Sequence, residues 1–491
     1  MSILIKNVQI VDGEGGEPYP ADVLIQKNVI SAIGDLKGKD ADEVIDGLGD
    51  YLVPGFIDVD ASSDQYLALI TNPAQADFPK QGVTTIIGGH CGASLAPLLY
   101  GTLESIRKWV DITQVNVNWH TLEEFFGVVG KLPLGVNFGT LIGHATVRRS
   151  INGGAAGALT SSEMKVFLKI LRKAMDEGAY GFSTGLGYAH GRLTPYAEID
   201  ELTSIIAEYG GVYSTHLRSE TSGLIGSVEE TIKIANEVGV RTVISHMRPL
   251  LGFEAQFDEA VSRIEKNSSP DNLRFYVYPF DTSLNPLYTL LPLWAQEKDF
   301  ETMLSKIRNP ETALRIENDM AGFPFERITF ADVPKHEYLV GKTAQDLSAM
   351  FGVSPVKAII KAMDVTSLRA MIFNKNINFE KLSGLLSDDR VLIASNAASR
   401  ADSYKFLTHE RVHSTFPRYL EIVLGHKLLT LPQAIKKITF SPAAYFGLKD
   451  RGTVKEGKIA DLVILGKDDY RVRKTIVGGQ YGRGEALRHA K

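Results

Sequence analysis

Cys91, His216 and His246 offer one thiolate and two imidazoles, a donor set that suits Zn²⁺. Three protein ligands leave a fourth position for water, and the ion lowers that water's pKa towards neutrality and polarises a substrate carbonyl. The same residues have a plainer account, with Cys91 as a small buried hydrophobe and both histidines as satisfied core side chains. With 11 histidines in the chain, single histidines near strand ends arise by chance. Three metal-competent side chains at the ends of three strands are harder to dismiss. Spacing alone leaves both accounts open.

The strands in question are short apolar runs bounded by turn residues. They are YLVPGFIDV (51–59), GVTTIIGG (82–89), LGVNFGTLIG (134–143), AYGFSTGL (179–186), GVYSTHL (211–217), RTVISHM (241–247), RFYVYPF (274–280) and RVLIASN (390–396). Helical stretches such as SSEMKVFLKILRKAMDEG and SVEETIKIANEVG lie between many of them and stop at Gly. Strand–helix alternation on this scale predicts a (β/α)8 barrel. A doubly wound sheet shares the pattern, but the chain has no phosphate-type glycine loop. In such barrels the reactive groups gather at the C-terminal strand ends. There the sequence places Asp58, Asp60, His90, Cys91, His144, Thr184, His216, His246, Tyr278 and Asn396. Residues 281–389, between strands seven and eight, are too many for a simple crossover. An inserted subdomain at about 284–345, covering the barrel mouth, is expected there. Both chain ends read as strands, from ILIKNVQIVDG to KIADLVILGK and VRKTIVGGQY, so one small sheet domain draws on both. The expected division is 1–50 and 441–491 for that domain and 51–440 for the barrel.

Of 491 residues, 44% are apolar and 23% charged, an ordinary globular composition. Lys+Arg is 53 and Asp+Glu 58, a net charge of −5 that gives no reason to expect nucleic acid. No window approaches the roughly 18 apolar residues of a membrane helix, and the opening MSILIKNVQIVDGEGG alternates. The single cysteine excludes an internal disulfide and fits a reducing compartment. A cytoplasmic protein with a small-molecule partner is expected; oligomeric state is not legible.

Several segments, in order, resemble the amidohydrolase superfamily and within it the N-acyl-D-amino-acid deacylase (D-aminoacylase) family. They are LVPGFIDV (52–59), QGVTTIIGGHCGASLAP (81–97), GAYGFSTGLGY (178–188), YSTHLRSE (213–220), VISHMRP (243–249) and GLKDRGTVKEGKIADLVIL (447–465). The resemblance runs over nearly the whole chain. It implies a deformed (β/α)8 barrel, a terminal β-sandwich and an inserted small domain, with one zinc ion per chain on Cys91, His216 and His246. It also implies a small carboxylate-bearing amide as substrate. Arg411, in HERVHSTFPR (409–418), falls where the family has an arginine for the carboxylate, a bidentate task suited to guanidinium. Arg248 stands where a lysine is usual. Tyr188 and Tyr278 match pocket tyrosines, and Ser283 lies near a substrate-contacting serine. A surface ion pair for Arg411, and ordinary packing for the tyrosines, are the plainer alternatives.

Two departures carry more information than the matches. Where active relatives have His-x-His on strand one, this chain has Asp60 and Ser62. Where the family reads Ser-Asp-Gly on strand eight, this chain reads Ser395-Asn396-Ala397. That aspartate carries the proton from the zinc-bound water to the leaving nitrogen. The Asn396 amide orients a water but cannot be its base. Asp60 and Asp64 are the nearest substitutes by sequence, with Asp402 and His413 behind them, although Asp60 has a bland alternative as a partner of Arg218. His90 and His144 read as loop-fixing residues. The expectation is a divergent zinc-dependent deacylase; the alternative is a zinc-assisted lyase or isomerase, or a silent ligand-binding protein.

Overall fold

The computed structural model describes residues 2–100, 103–107, 109–155, 157–297, 299–399, 406–480 and 484–489. The apolar runs become eight parallel strands: Phe56–Asp58, Val83–Gly88, Asn137–Thr140 continued by Ile142–Gly143, Gly181–Gly185, Val212–His216, Arg241–Ile244, Leu273–Val277 and Val391–Ile393. They pair in chain order. Strand eight returns to strand one through a parallel bridge between Ala61 and Ala397. Across that seam the Asn396 N–H donates to the Asp60 carbonyl at 2.8 Å and the Ser62 N–H to that of Ala397 at 2.7 Å. Strands two and four are buried at every position, as a parallel sheet covered on both faces requires. Ile57, Ile87, Leu141, Val212, Val243 and Leu392 form one cluster, while a larger one packs the strands against the helices.

The helices form where sequence signals place them. Ser161–Asp176 starts from a capping box between Thr160 and Glu163. Leu224–Val238 ends at Gly239, which takes the left-handed conformation that glycine adopts at low cost.

The run read as a single strand at 51–59 is two. Tyr51–Pro54 pairs with Ser2–Ile10 and Leu462–Leu465 in the terminal sheet, and only Phe56–Asp58 enters the barrel. The terminal domain therefore takes residues beyond 50. Its seven strands draw on both chain ends and curl until Val29 bridges Ile459, around Ile3, Ile5, Val23, Leu462 and Ile476.

The insert carries a three-stranded antiparallel sheet, in which Met371–Asn374 lies between Ser283–Pro286 and Ile328–Asp332. Its own core runs from Leu287 to Ile372. The limits 284–345 stop short because the central strand of that sheet comes last in the chain. Its returning leg is tied to the loop after strand six: Leu251 N–H donates to the Asn376 carbonyl and Asn378 N–H to that of Pro249, each at 2.8 Å. Arg192 and Leu407 tie it further to the loops after strands four and eight.

Asp58 braces the barrel seam. Its carboxyl accepts the backbone N–H of Ser395 at 3.0 Å and of Asp60 at 3.2 Å, and bonds the Ser395 hydroxyl at 2.5 Å. Burial pushes this carboxyl up to about 7, against the pull of the Ser395 hydrogen bonds. The folded state thus holds a proton that the unfolded chain releases, and Asp58 makes stability fall as pH rises from about 4 to about 7. An Asp58→Asn variant should lose less of its thermal midpoint between those limits than the parent does, as read by circular dichroism. An equal loss would show that Asp58 is not the group responsible.

Candidate active site

Backbone geometry at the strand ends sets the site. The segment GGHCG turns after strand two with φ of +78° at Gly89, +53° at Cys91 and +76° at Gly92. His246 (+36°) and Asn396 (+47°) also have positive φ. Such conformations cost a non-glycine residue about 1–3 kcal/mol and persist where their surroundings impose them.

Cys91, His216 and His246 meet here. Cys91 Sγ lies 3.6 Å from His246 Nε2, which lies 2.8 Å from His216 Nδ1. All three donor atoms fall within 4.8 Å of one another. A glycine is required beside them, because a Cβ at position 187 would stand 2.6 Å from His216 Nε2. A soft thiolate with two imidazoles is a zinc-type donor set. The sulfur–nitrogen spacing matches two ligands of one tetrahedral ion. The two nitrogens are closer than the roughly 3.4 Å that zinc–nitrogen bonds of about 2.0–2.1 Å imply, and have the spacing of a hydrogen bond between the two rings. The second ring nitrogen of His246 is held by Glu220 Oε1 at 2.8 Å, the carboxylate–histidine arrangement that orients metal ligands. Burial raises the Glu220 carboxyl, but Arg248 and His246 outweigh it and hold the group well below the usual carboxylate range.

The residues expected on the substrate side also come together. Arg248 donates to the Tyr278 hydroxyl at 2.6 Å, to Ser283 Oγ at 3.0 Å and to both Glu220 oxygens at 3.1 and 3.2 Å. The Arg411 guanidinium lies over the Tyr278 ring, 4.9 Å from its centroid. It is not a surface ion pair: Arg411 is 4% exposed, its Nε has no hydrogen-bond partner, and it forms no salt bridge among the described residues. Burial raises the Tyr278 phenol, and the two guanidiniums more than reverse this. Tyr188 stacks on the His216 ring at 4.6 Å between centroids.

Deeper in the mouth, Asp60 is fully buried. One carboxylate oxygen accepts the Tyr276 hydroxyl and stands 3.3 Å from His90 Nδ1. The other lies 3.5 Å from the Asn396 amide nitrogen, which is 3.3 Å from the Tyr276 hydroxyl. Arg218 is not its partner; that guanidinium grips Glu230 at 2.7 and 2.9 Å. Asp64 instead braces the GGHCG turn, accepting the Gly89 N–H at 2.7 Å, and burial pushes its carboxyl up to about 7. His413 is exposed on the helix Arg411–Gly425, and Asp402 falls outside the described residues. His144 is a buried structural partner of Glu198, at 2.8 Å.

Three residues escaped the sequence reading. Glu220 was signalled by its place four residues after His216. Tyr276 was signalled by its two-residue offset from Tyr278 on the same strand. His409 had no signal: its Nδ1 accepts the Arg411 N–H at 3.0 Å, and its Nε2 pairs with the Thr282 carbonyl at 2.9 Å.

Comparison with known proteins agrees with this architecture. Residues 386–481 match the model of the amidohydrolase family. The N-acyl-D-glutamate deacylase of Alcaligenes xylosoxydans xylosoxydans is 27% identical over 97% of this chain and 89% of its own length. The D-aminoacylase of the same organism is 28% identical over 94% and 87%. The crystal structure of N-acyl-D-glutamate deacylase from Bordetella bronchiseptica, complexed with zinc and a phosphonate inhibitor, superposes with a TM-score of 0.80 at 23% identity over 99% of both chains. Barrel, terminal sheet and insert together have the fold of that deacylase structure, and the matched segment is of the amidohydrolase family. Over nearly its whole length the chain is similar to deacylases of the D-aminoacylase family.

Replacing Glu220→Gln should weaken metal binding about 10–100-fold, measured by competition with a coloured chelator. Unchanged affinity would show that Glu220 serves Arg248 alone.

Proposed function

We propose that this protein is a zinc-dependent amidohydrolase that cleaves the amide of a small carboxylate-bearing N-acyl compound, with one zinc ion per chain on Cys91, His216 and His246. One observation carries the reading: a three-ligand cluster is linked through Glu220, Arg248 and Tyr278 to a buried guanidinium, that of Arg411, which has no ion-pair partner among the described residues. Zinc bound there supplies Lewis acidity and a water of lowered pKa. Arg411 takes the substrate carboxylate in a bidentate grip, and Arg248, already engaged by Glu220, fixes the Tyr278 hydroxyl beside it. Asp60 accepts the proton of the attacking water and returns it to the leaving nitrogen. The water's hydroxyl ends on the acyl carbon as the C–N bond breaks, so a carboxylate and an amine result. Asn396, which cannot titrate, orients Asp60 and the water. Support for Asp60 is its contact with Asn396 and Tyr276 and its freedom from Arg218; Asp64, committed to Gly89, is the weaker candidate. The cytoplasm is the matching compartment, since a thiolate ligand is kept there in reduced form. The lyase, isomerase and silent readings draw no support from the relatives named above, which are deacylases.

Elemental analysis of the purified protein should find about one zinc per chain, lost in Cys91→Ala. No zinc after purification with added metal would overturn the reading. Against a panel of N-acyl amino acids, Asp60→Asn should lower kcat about 10²–10⁴-fold, whereas Asn396→Asp should raise it. Full activity in Asp60→Asn would exclude Asp60 as the base.

A further inference from the structure

The carboxylate-binding residues Arg248, Tyr278 and Arg411 follow strands six, seven and eight. On the opposite side of the mouth, beyond strands two, three and four, lies a cavity of about 550 Å³. Its barrel wall comes from Glu104, Arg107, Arg149, Ala189 and His190, and its other wall from the insert. The stack of His190 on Tyr188 and of Tyr188 on His216 joins its lining to a metal-type ligand. At about 30 Å³ per water the space equals roughly eighteen waters, far more than an acetyl group fills.

Phe300, Met303 and Leu304 of the insert make one stretch of the lining apolar. The acids around it are already engaged. Glu104 pairs with Arg107 at 3.3 Å, Glu297 with Lys306 at 2.5 Å, and Asp299 caps its helix through the Thr302 N–H at 2.7 Å, while Glu301 is exposed. Arg149, half-buried on the helix His144–Asn152, feels the nearby Glu104 carboxylate but makes no ion pair among the described residues, and its Nε is sealed from water without a hydrogen-bond partner. An unpaired guanidinium at the end of an apolar wall selects an anion on an apolar stem.

We infer that this cavity receives the acyl half of the substrate, and that the acyl chain is several methylenes long and ends in an anionic group held by Arg149. The assignment of halves rests on the deacylase reading, which puts the amino-acid carboxylate at Arg411 and the amide carbonyl at the metal cluster. The remaining half then points across the mouth towards strands two to four. The preference for an anion rests on the cavity alone.

The zinc-loaded full-length protein is compared on N-glutarylglycine, N-hexanoylglycine and N-acetylglycine, by kcat/KM where turnover occurs and by calorimetric Kd where it does not. The glutaryl compound should be preferred over the hexanoyl one by about tenfold or more. Arg149→Gln should erase that preference and Arg149→Lys should keep part of it. Equal handling of the two by the parent protein overturns the inference whether or not the variants fold. So does a preference that survives Arg149→Gln, or an Arg149-dependent preference that follows the side-chain carboxylate of N-acetylglutamate instead of the acyl end. Arg149-dependent binding of the glutaryl compound without hydrolysis supports the anion site and removes the deacylase reading.

Discussion

One carboxylate, that of Glu220, joins the two halves of the site. It orients His246 on the metal side and neutralises Arg248 on the anion side. A carboxylate set between a guanidinium and an imidazole is stable only while both stay in place, and each of them in turn is held by it. Ligand geometry and the Tyr278–Ser283 anion wall therefore move together. Glu220 lies between strand five, which ends in His216, and the helix Leu224–Val238, so its position is set by a rigid strand–helix unit.

The barrel was legible because its strands are buried on both faces and so appear as apolar runs. The break at Gly55 was not legible, since YLVPGFIDV is apolar on both sides of it and nothing local tells a terminal-sheet strand from a barrel strand. The limits of the insert were hidden for a related reason: antiparallel pairing lets the central strand of a sheet come last in sequence. In the site, donor types at strand ends were visible one residue at a time. The guanidinium–tyrosine stack of Arg411 on Tyr278 brings together residues far apart in the chain, and only family resemblance pointed to both. The partner of Asp60 was misjudged for the same reason, because Arg218 has Glu230 twelve residues away on the adjoining helix.

Asn396, at the end of strand eight, takes a left-handed backbone and is tied to strand one through the Asp60 carbonyl. The acid lies across the seam, on strand one. The carboxyl–amide pair spans the point where strands one and eight close the barrel.

The insert leaves and re-enters the barrel through neighbouring residues and has a core of its own. It is in effect a cassette. Its helix Phe300–Arg308 supplies part of the cavity wall but none of the three metal-type donors, so a substitution on that helix reshapes the cavity and leaves the donor set whole.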